Sequence, residues 1–243
     1  MITDRYSRDL REAVRLLVVA GIPVGVIIAG VGGRLAMLLL RLTSPDSVKG
    51  VRSDDGFIIG RVTLAGTYNL LLLGASVGII GAAAYQWVRP WLLGPWWLRR
   101  MTTAAGSGLV VGSLLLHADG IDFRMLTPTW LAIGLFVALP ALFGLAIGPA
   151  VDRIGRPGSW TRRGRTQWVL PIGLVVMFPL SVFVLAIATG ILALWLLIRP
   201  VRDVERLRSS LVSGLMVRAV WLAVAALGAV AVISDAAAIA AST

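Results

Sequence analysis

Six long apolar segments constrain the fold of this chain more than any other feature of its sequence. They cover residues 13–40, 62–86, 101–117, 128–150, 169–198 and 211–241. An apolar helix of about 20 residues crosses the roughly 30 Å hydrocarbon core of a bilayer, whereas the alternating pattern of membrane strands, about ten residues long, does not occur here. The segments therefore predict an all-α, polytopic transmembrane helical bundle with six spans.

The composition favours lipid as the surrounding solvent. Hydrophobic residues make up 58% of the 243 positions and charged residues only 14%, whereas about a quarter of the residues of a soluble domain are charged. The connections between the segments are short, so residues 1–243 are expected to form a single integral membrane domain. Four arginines lie before or at the start of the first apolar segment (Arg5, Arg8, Arg11 and Arg15). The segment lacks a small-residue cleavage site, which predicts a retained span rather than a cleaved signal.

The fifth segment, 169–198, has two interpretations. One helix of this length would reach about 45 Å, which requires a strong tilt or a kink at Pro179. A hairpin would give seven helical segments, each half reaching only about 22 Å. With a cytoplasmic N-terminus, six spans place 12 Lys and Arg residues inside and 9 outside. The hairpin places 16 inside and 5 outside, so the positive-inside rule favours the hairpin. We expect six spans, and both interpretations place the first and third loops outside.

Small residues recur at four-residue spacing on four of the segments. Lipid provides no hydrophobic drive for helix association, so membrane helices approach closely at such residues. The predicted packing positions are Gly21, Gly25, Ala29 and Gly33; Gly74, Gly78 and Ala82; Ala104, Gly108 and Gly112; and Gly144 and Gly148. They predict a tight bundle. We call each such row of small residues a glycine seam, and some of these seams can equally face a partner chain.

Residues 85–100, YQWVRPWLLGPWWLRR, hold four of the nine tryptophans. Tryptophan prefers the head-group layer and arginine pairs with lipid phosphate, so this stretch predicts an inner interface with anionic phospholipids, as a general anchor in preference to a specific lipid site. The interface residues are Trp87, Arg89, Trp91, Trp96, Trp97, Arg99 and Arg100. The net charge of +11 is assigned to the same lipids and not to nucleic acid, because most arginines flank apolar segments.

Two outer loops are rich in aspartate. The turn SDDG, residues 53–56, predicts a short hairpin over 49–62 at the outer mouth of the bundle, and HADGIDFRML continues from the third segment. Clustered carboxylates suit a hard divalent cation. The candidate metal ligands are Asp54, Asp55, Asp119 and Asp122, with His117 nearby. Pairing of the aspartates with Arg52, Arg61 and Arg124 is the preferred interpretation.

Polar and reactive residues inside the predicted spans are few. Asn69 is expected at mid-depth, where interhelical hydrogen bonding is its commonest role. The charged residues of the spans lie near span ends: Arg34, Arg218 and Asp235. Ser107 and the only histidine, His117, are about 15 Å apart along one helix, too far for a nucleophile and its base. The only lysine, Lys49, lies in a loop, and the absence of cysteine excludes thiolate chemistry. No catalytic residue and no cofactor are predicted.

Several stretches carry a resemblance to a known group of proteins. GGRLAMLLLRL, SDDGFIIGRVTLAGTYNLLLLG, RPWLL and DGIDFRMLTPTWLAIGLFVALP together look similar to a family of multi-pass membrane proteins of high-GC, actinobacterial-type bacteria with no known activity. The resemblance covers about residues 30 to 150. It implies a location in the bacterial inner membrane and nothing about mechanism.

Three classes of function are open on these residues. The preferred prediction is a non-catalytic accessory, scaffold or regulatory subunit of a larger membrane complex, with other membrane protein subunits as partners, because of the glycine seams and the arginine-rich inner side. The alternative is a small transporter or channel with a path near Asn69. The third class, a lipid-modifying enzyme using Asp119 and Asp122, requires a base or metal that the sequence does not supply.

Overall fold

The fold is helical throughout the residues that the computed structural model describes, which are 2–48, 50, 63–92, 94–116, 127–198 and 211–242. Helix makes up 89% of the structure, and no strand occurs in these residues. In chain order the helices are α1 (residues 2–43), α2 (Leu64–Val88), α3 (Trp96–Leu115), α4 (Thr129–Gly155), α5 (Thr166–Met177), α6 (Ser181–Ile198) and α7 (Leu211–Ser242). Short 3-10 turns lie between some of them, at Asp46–Val48, Arg89–Trp91 and Trp160–Arg162.

Helix α1 is one continuous rod in which two π-helical stretches interrupt the α-helix. The segments Ile2–Leu16, Ile22–Gly25 and Gly33–Thr43 are α-helical, and the segments Leu17–Gly21 and Val26–Gly32 are π-helical. A π-helix bonds residue i to i+5 and not to i+4. Positions that face the same neighbour are therefore spaced by five residues in these stretches, which alters the packing pattern read from the sequence.

In the part of the chain that the structure describes, four helical stretches are long and apolar enough to cross a membrane. They are Ser7–Thr43 in α1, Leu64–Trp91 around α2, Thr129–Gly155 (α4) and Ala219–Ile239 in α7. Helices α5 and α6 are apolar but shorter. The predicted all-α fold is thus confirmed and is compatible with a membrane protein, whereas the predicted six spans are not confirmed.

The predicted fifth span consists of two helices, α5 and α6, separated by residues 178–180. The Tyr68 hydroxyl, near the start of α2, donates to the Met177 carbonyl at 3.0 Å, so α5 ends beside the start of α2. Leu192 of α6 instead lines a small cavity together with Gln86, near the end of α2. Helices α5 and α6 therefore run in opposite directions. The hairpin interpretation, with seven helical segments, describes this part of the chain.

Pro179 explains the break between α5 and α6. A proline disfavours the helical conformation at the residue before it, and Phe178 accordingly has φ −126° and ψ 72°. Both the amide and the hydroxyl of Ser181 donate to the Phe178 carbonyl, at 2.9 and 2.5 Å. The Phe178 carbonyl thus finds its donors within the turn itself.

Helix α7 runs parallel to α3. A Cβ added to Gly228 would lie 2.9 Å from the Leu109 carbonyl oxygen, and Ile239, near the end of α7, packs with Leu116 just after α3. Helix α7 therefore begins at the end of the bundle where α6 ends and α3 begins. We call this the basic end, and we call the other the opposite end, where the Ser44 hydroxyl accepts from the Thr127 amide at 2.9 Å.

An ion cluster closes the basic end. Arg15 donates to the Glu12 carboxylate at 3.0 and 3.1 Å, to the Thr161 hydroxyl at 2.8 Å and to the Ile154 carbonyl at 2.9 Å. Arg162 also pairs with Glu12. The Arg15 side chain is only 12% exposed, so its charge depends on these acceptors. The cluster ties α1 to the end of α4 and to the turn that follows it.

Candidate functional site

The predicted glycine seam between the first two helices is a close backbone contact. A Cβ added to Gly21 would lie 2.6 Å from the Gly78 carbonyl oxygen, and one added to Gly74 would lie 2.8 Å from the Gly25 carbonyl oxygen. Real Cβ atoms essentially never come that close to a backbone atom. The structure thus brings these four predicted packing residues together, with the backbones of α1 and α2 in contact.

The seam then departs from four-residue spacing. A Cβ added to Gly74 would also lie 2.8 Å from the amide nitrogen of Gly30, which is buried. Ala29 instead lines a cavity, and a Cβ on Gly33 would make one ordinary contact, at 3.8 Å. The π-helical stretch Val26–Gly32 causes this shift, because its spacing is five residues. Gly30 is therefore a further close packing position of α1, which the four-residue spacing did not predict, while Gly33 makes ordinary contact with Leu70 of α2.

The predicted small residues of α3 face α4. A Cβ added to Gly108 would lie 3.0 Å from the Ala141 side chain, and one added to Gly112 would lie 3.2 Å from the Val137 side chain. These distances are tighter than ordinary contact. A Cβ added to Gly144 of α4 would lie only 2.5 Å from the Thr103 carbonyl oxygen of α3, so the α3–α4 contact is also a close backbone contact, as the α1–α2 seam is.

The predicted lipid-interface residues lie at the basic end, around the turn between α2 and α3. The Arg100 guanidinium carbon lies 4.7 Å from the centre of the Trp96 ring, while Arg99 donates to a backbone carbonyl at 3.1 Å. Arg89 forms an ion pair with Asp152 at 2.6 Å. More than half of the surface is exposed on three of the tryptophans, Trp87, Trp96 and Trp97, and Trp91 is partly buried. Exposed indole rings beside arginines suit the head-group layer.

The acidic outer loops lie outside the described residues. This holds for Asp54, Asp55, Asp119, Asp122 and His117. It also holds for every position of the predicted hairpin 49–62 except Gly50. Within the described residues, no three His, Asp or Glu side chains come together as metal ligands would. The metal interpretation and the arginine-pairing interpretation therefore both stay predictions.

Asn69 lies near the start of α2 and not near its middle. It is the sixth residue of α2, close to the opposite end, and its side chain is exposed. It lies outside the lining of the large cavity described next. A transport path through the interior of the described bundle would therefore have to pass elsewhere.

A cavity of about 780 Å³ lies inside the bundle, and we call it the apolar cavity. Its walls are the second half of α1 with α2, α3 and α4, and Trp221 of α7 also lines it. Along α2 it extends from Leu73 to Val88, which corresponds to about 22 Å of helix. Most of the lining is aliphatic or aromatic, and the volume lies within the range of about 300–1,000 Å³ typical of ligand pockets.

The apolar cavity is open on the flank of the bundle. Leu35 on α1 and Leu73, Val77 and Ile80 on α2 line it and are also exposed, with Leu35 60% exposed and Ile80 56% exposed. Exposed aliphatic side chains of this kind suit an apolar solvent or an apolar partner. The cavity can therefore be reached from the flank without crossing the bundle.

Two arginines of α1 line the apolar cavity towards the opposite end. Arg34 and Arg41 are seven residues apart, two turns of an α-helix, which places them on the same face about 10 Å from each other. Nε and Nη2 of Arg34 and Nε of Arg41 are buried, with no hydrogen-bond partner among the described residues. The described lining contains no Asp or Glu. Both arginines are partly exposed as whole residues, but buried guanidinium nitrogens without an acceptor are costly, so this end of the cavity favours an anion.

Ser107, on the wall of the apolar cavity, makes a hydrogen bond between helices. Its hydroxyl oxygen lies 2.8 Å from the Thr103 carbonyl on its own helix and 2.8 Å from the Pro140 carbonyl on α4. Its proton is thus directed at backbone acceptors. The cavity combines apolar walls with cations at one end, an arrangement that suits binding of an amphiphile with an anionic group.

Comparison of the chain with protein-family models, with curated proteins and with solved structures finds no match. Interpretation of the site therefore depends on the chemistry of its residues.

Sequence reasoning missed the apolar cavity and its two arginines. Arg34 was predicted to lie near a span end, and Arg41 follows directly after the predicted first segment, 13–40. The signal that could have found them is their spacing in GRLAMLLLRL, because two cations seven positions apart in an apolar helix share one face. Gly30 was missed because no sequence pattern marks a π-helical stretch.

Proposed function

We propose that this chain is an integral protein of the bacterial inner membrane that acts by binding, as a non-catalytic accessory or regulatory subunit of a larger membrane complex. The observation that carries the proposal is the apolar cavity, which offers an apolar chain about 22 Å of wall and an opening on the flank of the bundle. In this role the chain holds a membrane lipid and presents its helices to other subunits.

The proposed orientation has the basic end in the cytoplasm. Helices α5 and α6 run in opposite directions, and their order corresponds to the hairpin interpretation, in which 16 Lys and Arg lie on the N-terminal side and 5 on the other. Cytoplasmic loops carry the excess of Lys and Arg in membrane proteins. Trp96 and Arg100 then lie at the inner head-group layer, where anionic lipids are concentrated.

The test of this proposal is lipid retention by a cavity-filled variant. A Cβ at Gly106 would meet only the Trp221 ring, at 3.5 Å, so Gly106→Leu places three further carbons in the apolar cavity without a backbone clash. Gly134, which has nothing within 4 Å of an added Cβ and lies outside the cavity, provides the matched control Gly134→Leu.

The two variants and the wild type are extracted gently from the membrane, sized under native conditions and analysed by native mass spectrometry. We expect the wild-type chain and Gly134→Leu to retain bound lipid after delipidation, and Gly106→Leu to lose it. Retention that is equal in all three proteins would refute a role for the cavity. A partner at fixed stoichiometry with the 25.8 kDa chain is expected for an accessory subunit, and a lone chain would refute that part of the proposal.

A transporter whose path follows the apolar cavity is the second candidate, favoured by the length of the cavity along α2. The cysteine-free chain allows a direct test with single cysteines. A membrane-impermeant thiol reagent should label Val110→Cys, on the cavity wall, if water fills the cavity, and should leave it unlabelled if lipid does. Labelling at Asn69→Cys alone would instead report an exposed helix end.

A further inference from the structure

We propose that the apolar cavity is a specific site for one anionic lipid of the surrounding bilayer, whose head group is bound by Arg34 and Arg41 while its hydrocarbon lies along α2. This inference rests on the proposed function, because it names the ligand of the same cavity. The ligand class is an amphiphile with a phosphate or other anionic head group.

The first argument is the unsatisfied charge. Two donors of Arg34 and one of Arg41 are buried without a hydrogen-bond partner among the described residues, in an otherwise apolar wall. An arginine within a membrane helix either snorkels to the interface or faces a polar partner. Buried donors that point to no acceptor identify the place where a ligand supplies one.

The second argument is geometry. The guanidinium group is a planar fork of N–H donors that matches two oxygens of a phosphate. Arg34 and Arg41 lie on one face of α1 about 10 Å apart, so one head group can lie between their side chains. A lone anion would supply acceptors to the arginines and leave the cavity unfilled. A lipid supplies the acceptors with its head group and fills the cavity with its hydrocarbon.

The third argument is polarity along the cavity. The arginines lie towards the opposite end, and the walls towards the basic end include Val88 and Leu92. A head group at one end and hydrocarbon at the other is the arrangement of a lipid in one leaflet. Under the proposed orientation this is the outer leaflet, so the site differs from the Trp96 and Arg100 interface at the basic end.

The experiment measures the preference for an anionic head group. The full chain is placed in vesicles that contain equal amounts of phosphatidylglycerol and phosphatidylcholine with identical acyl chains. The lipid retained after detergent exchange is counted by native mass spectrometry. We expect the wild type to retain phosphatidylglycerol, and Arg34→Gln to lower the ratio of the two lipids about tenfold, since a hydrogen bond between charged groups contributes on that scale.

Three further variants separate charge from structure. Arg34→Lys keeps the charge and should restore part of the preference, because an ammonium group binds phosphate as a point charge. Arg41→Gln tests the second cation independently if Arg34→Gln does not fold. Arg153, exposed at the basic end, provides the control Arg153→Gln, which should keep the wild-type ratio.

The outcomes distinguish this inference from the proposed function. Equal retention of both lipids by the wild type, with loss of both in Gly106→Leu, would overturn head-group recognition and leave the cavity function intact. A ratio unchanged in Arg34→Gln and Arg41→Gln would also overturn it. Displacement of phosphatidylglycerol by millimolar inorganic phosphate would assign the arginines to a free anion and overturn the lipid assignment. Lipid retention unaffected by Gly106→Leu would overturn both proposals.

Discussion

Substitution of Gly21 by alanine tests the contact on which the α1–α2 pair depends. The new Cβ would lie 2.6 Å from the Gly78 carbonyl oxygen and 3.0 Å from the Ala82 Cβ, whereas ordinary contact begins at 3.4 Å. The oxygen belongs to the backbone of α2 and cannot rotate away. The two helices must therefore separate by nearly 1 Å, and the seam at Gly25 and Gly74 opens with them.

The expected loss of stability is about 2 kcal/mol. Overpacking of a close contact costs about 1–3 kcal/mol, and the upper part of this range applies because the neighbour is a backbone carbonyl. The better helix propensity of alanine offsets about 1 kcal/mol of this loss in the free energy of unfolding. The matched substitution Gly134→Ala has nothing within 4 Å of its Cβ, so it carries the propensity gain without the clash and should be neutral or stabilising.

The assay is reversible unfolding in mixed micelles with increasing SDS, followed by far-UV circular dichroism. The free energies of unfolding of wild type, Gly21→Ala and Gly134→Ala are compared at the same detergent composition. A difference of about 2 kcal/mol is more than tenfold in the unfolding constant and is readily measured. Equal stabilities for the two variants would refute the close approach of α1 and α2 at this glycine.

Three further predictions follow from the contacts at the ends of the bundle. Arg15→Ala should lower the free energy of unfolding by about 2 kcal/mol, because it removes charge-assisted hydrogen bonds that are largely out of water. In the same SDS titration, the control Arg153→Ala should change the free energy of unfolding by less than about 0.5 kcal/mol. Asp152→Asn removes an ion pair whose two side chains are each nearly half exposed, so salt screening should limit its effect to less than about 1 kcal/mol; a larger loss would indicate that this pair is buried in the native membrane. Asn69→Cys should react with an impermeant thiol reagent added to the outside of intact cells, and reaction only in inverted vesicles would contradict the proposed orientation.

The glycine seam between α1 and α2 shows how much of the helix packing the sequence spacing predicts. Spacing of four residues correctly brings Gly21 and Gly25 to Gly78 and Gly74, because those positions are linked by nearly regular helix. It fails at the next turn, where a π-helical stretch moves the contact to Gly30. The wider turn of the π-helical stretch leaves no mark in the spacing of small residues.

The fifth segment, 169–198, is a second place where local sequence patterns do not determine the structure. Its length and charge count were compatible with either one helix or a hairpin, and a kink at Pro179 was part of the one-helix interpretation. The structure decides for the hairpin through contacts with distant parts of the chain: Tyr68 with Met177 at one end of α2, and Gln86 beside Leu192 at the other. Such contacts are long-range in sequence, so no local pattern carries them.

The sequence by itself determined that this chain is all-helical and suited to lipid, because apolar length and scarcity of charge are local properties that hold in any packing. It also identified the glycines through which α1 and α2 meet. Only the tertiary structure decided that five helices enclose a cavity, and that Arg34 and Arg41 line it with unpaired donors. A cavity is the space that packing leaves unfilled, so it depends on how the helices are arranged and not on any one of them.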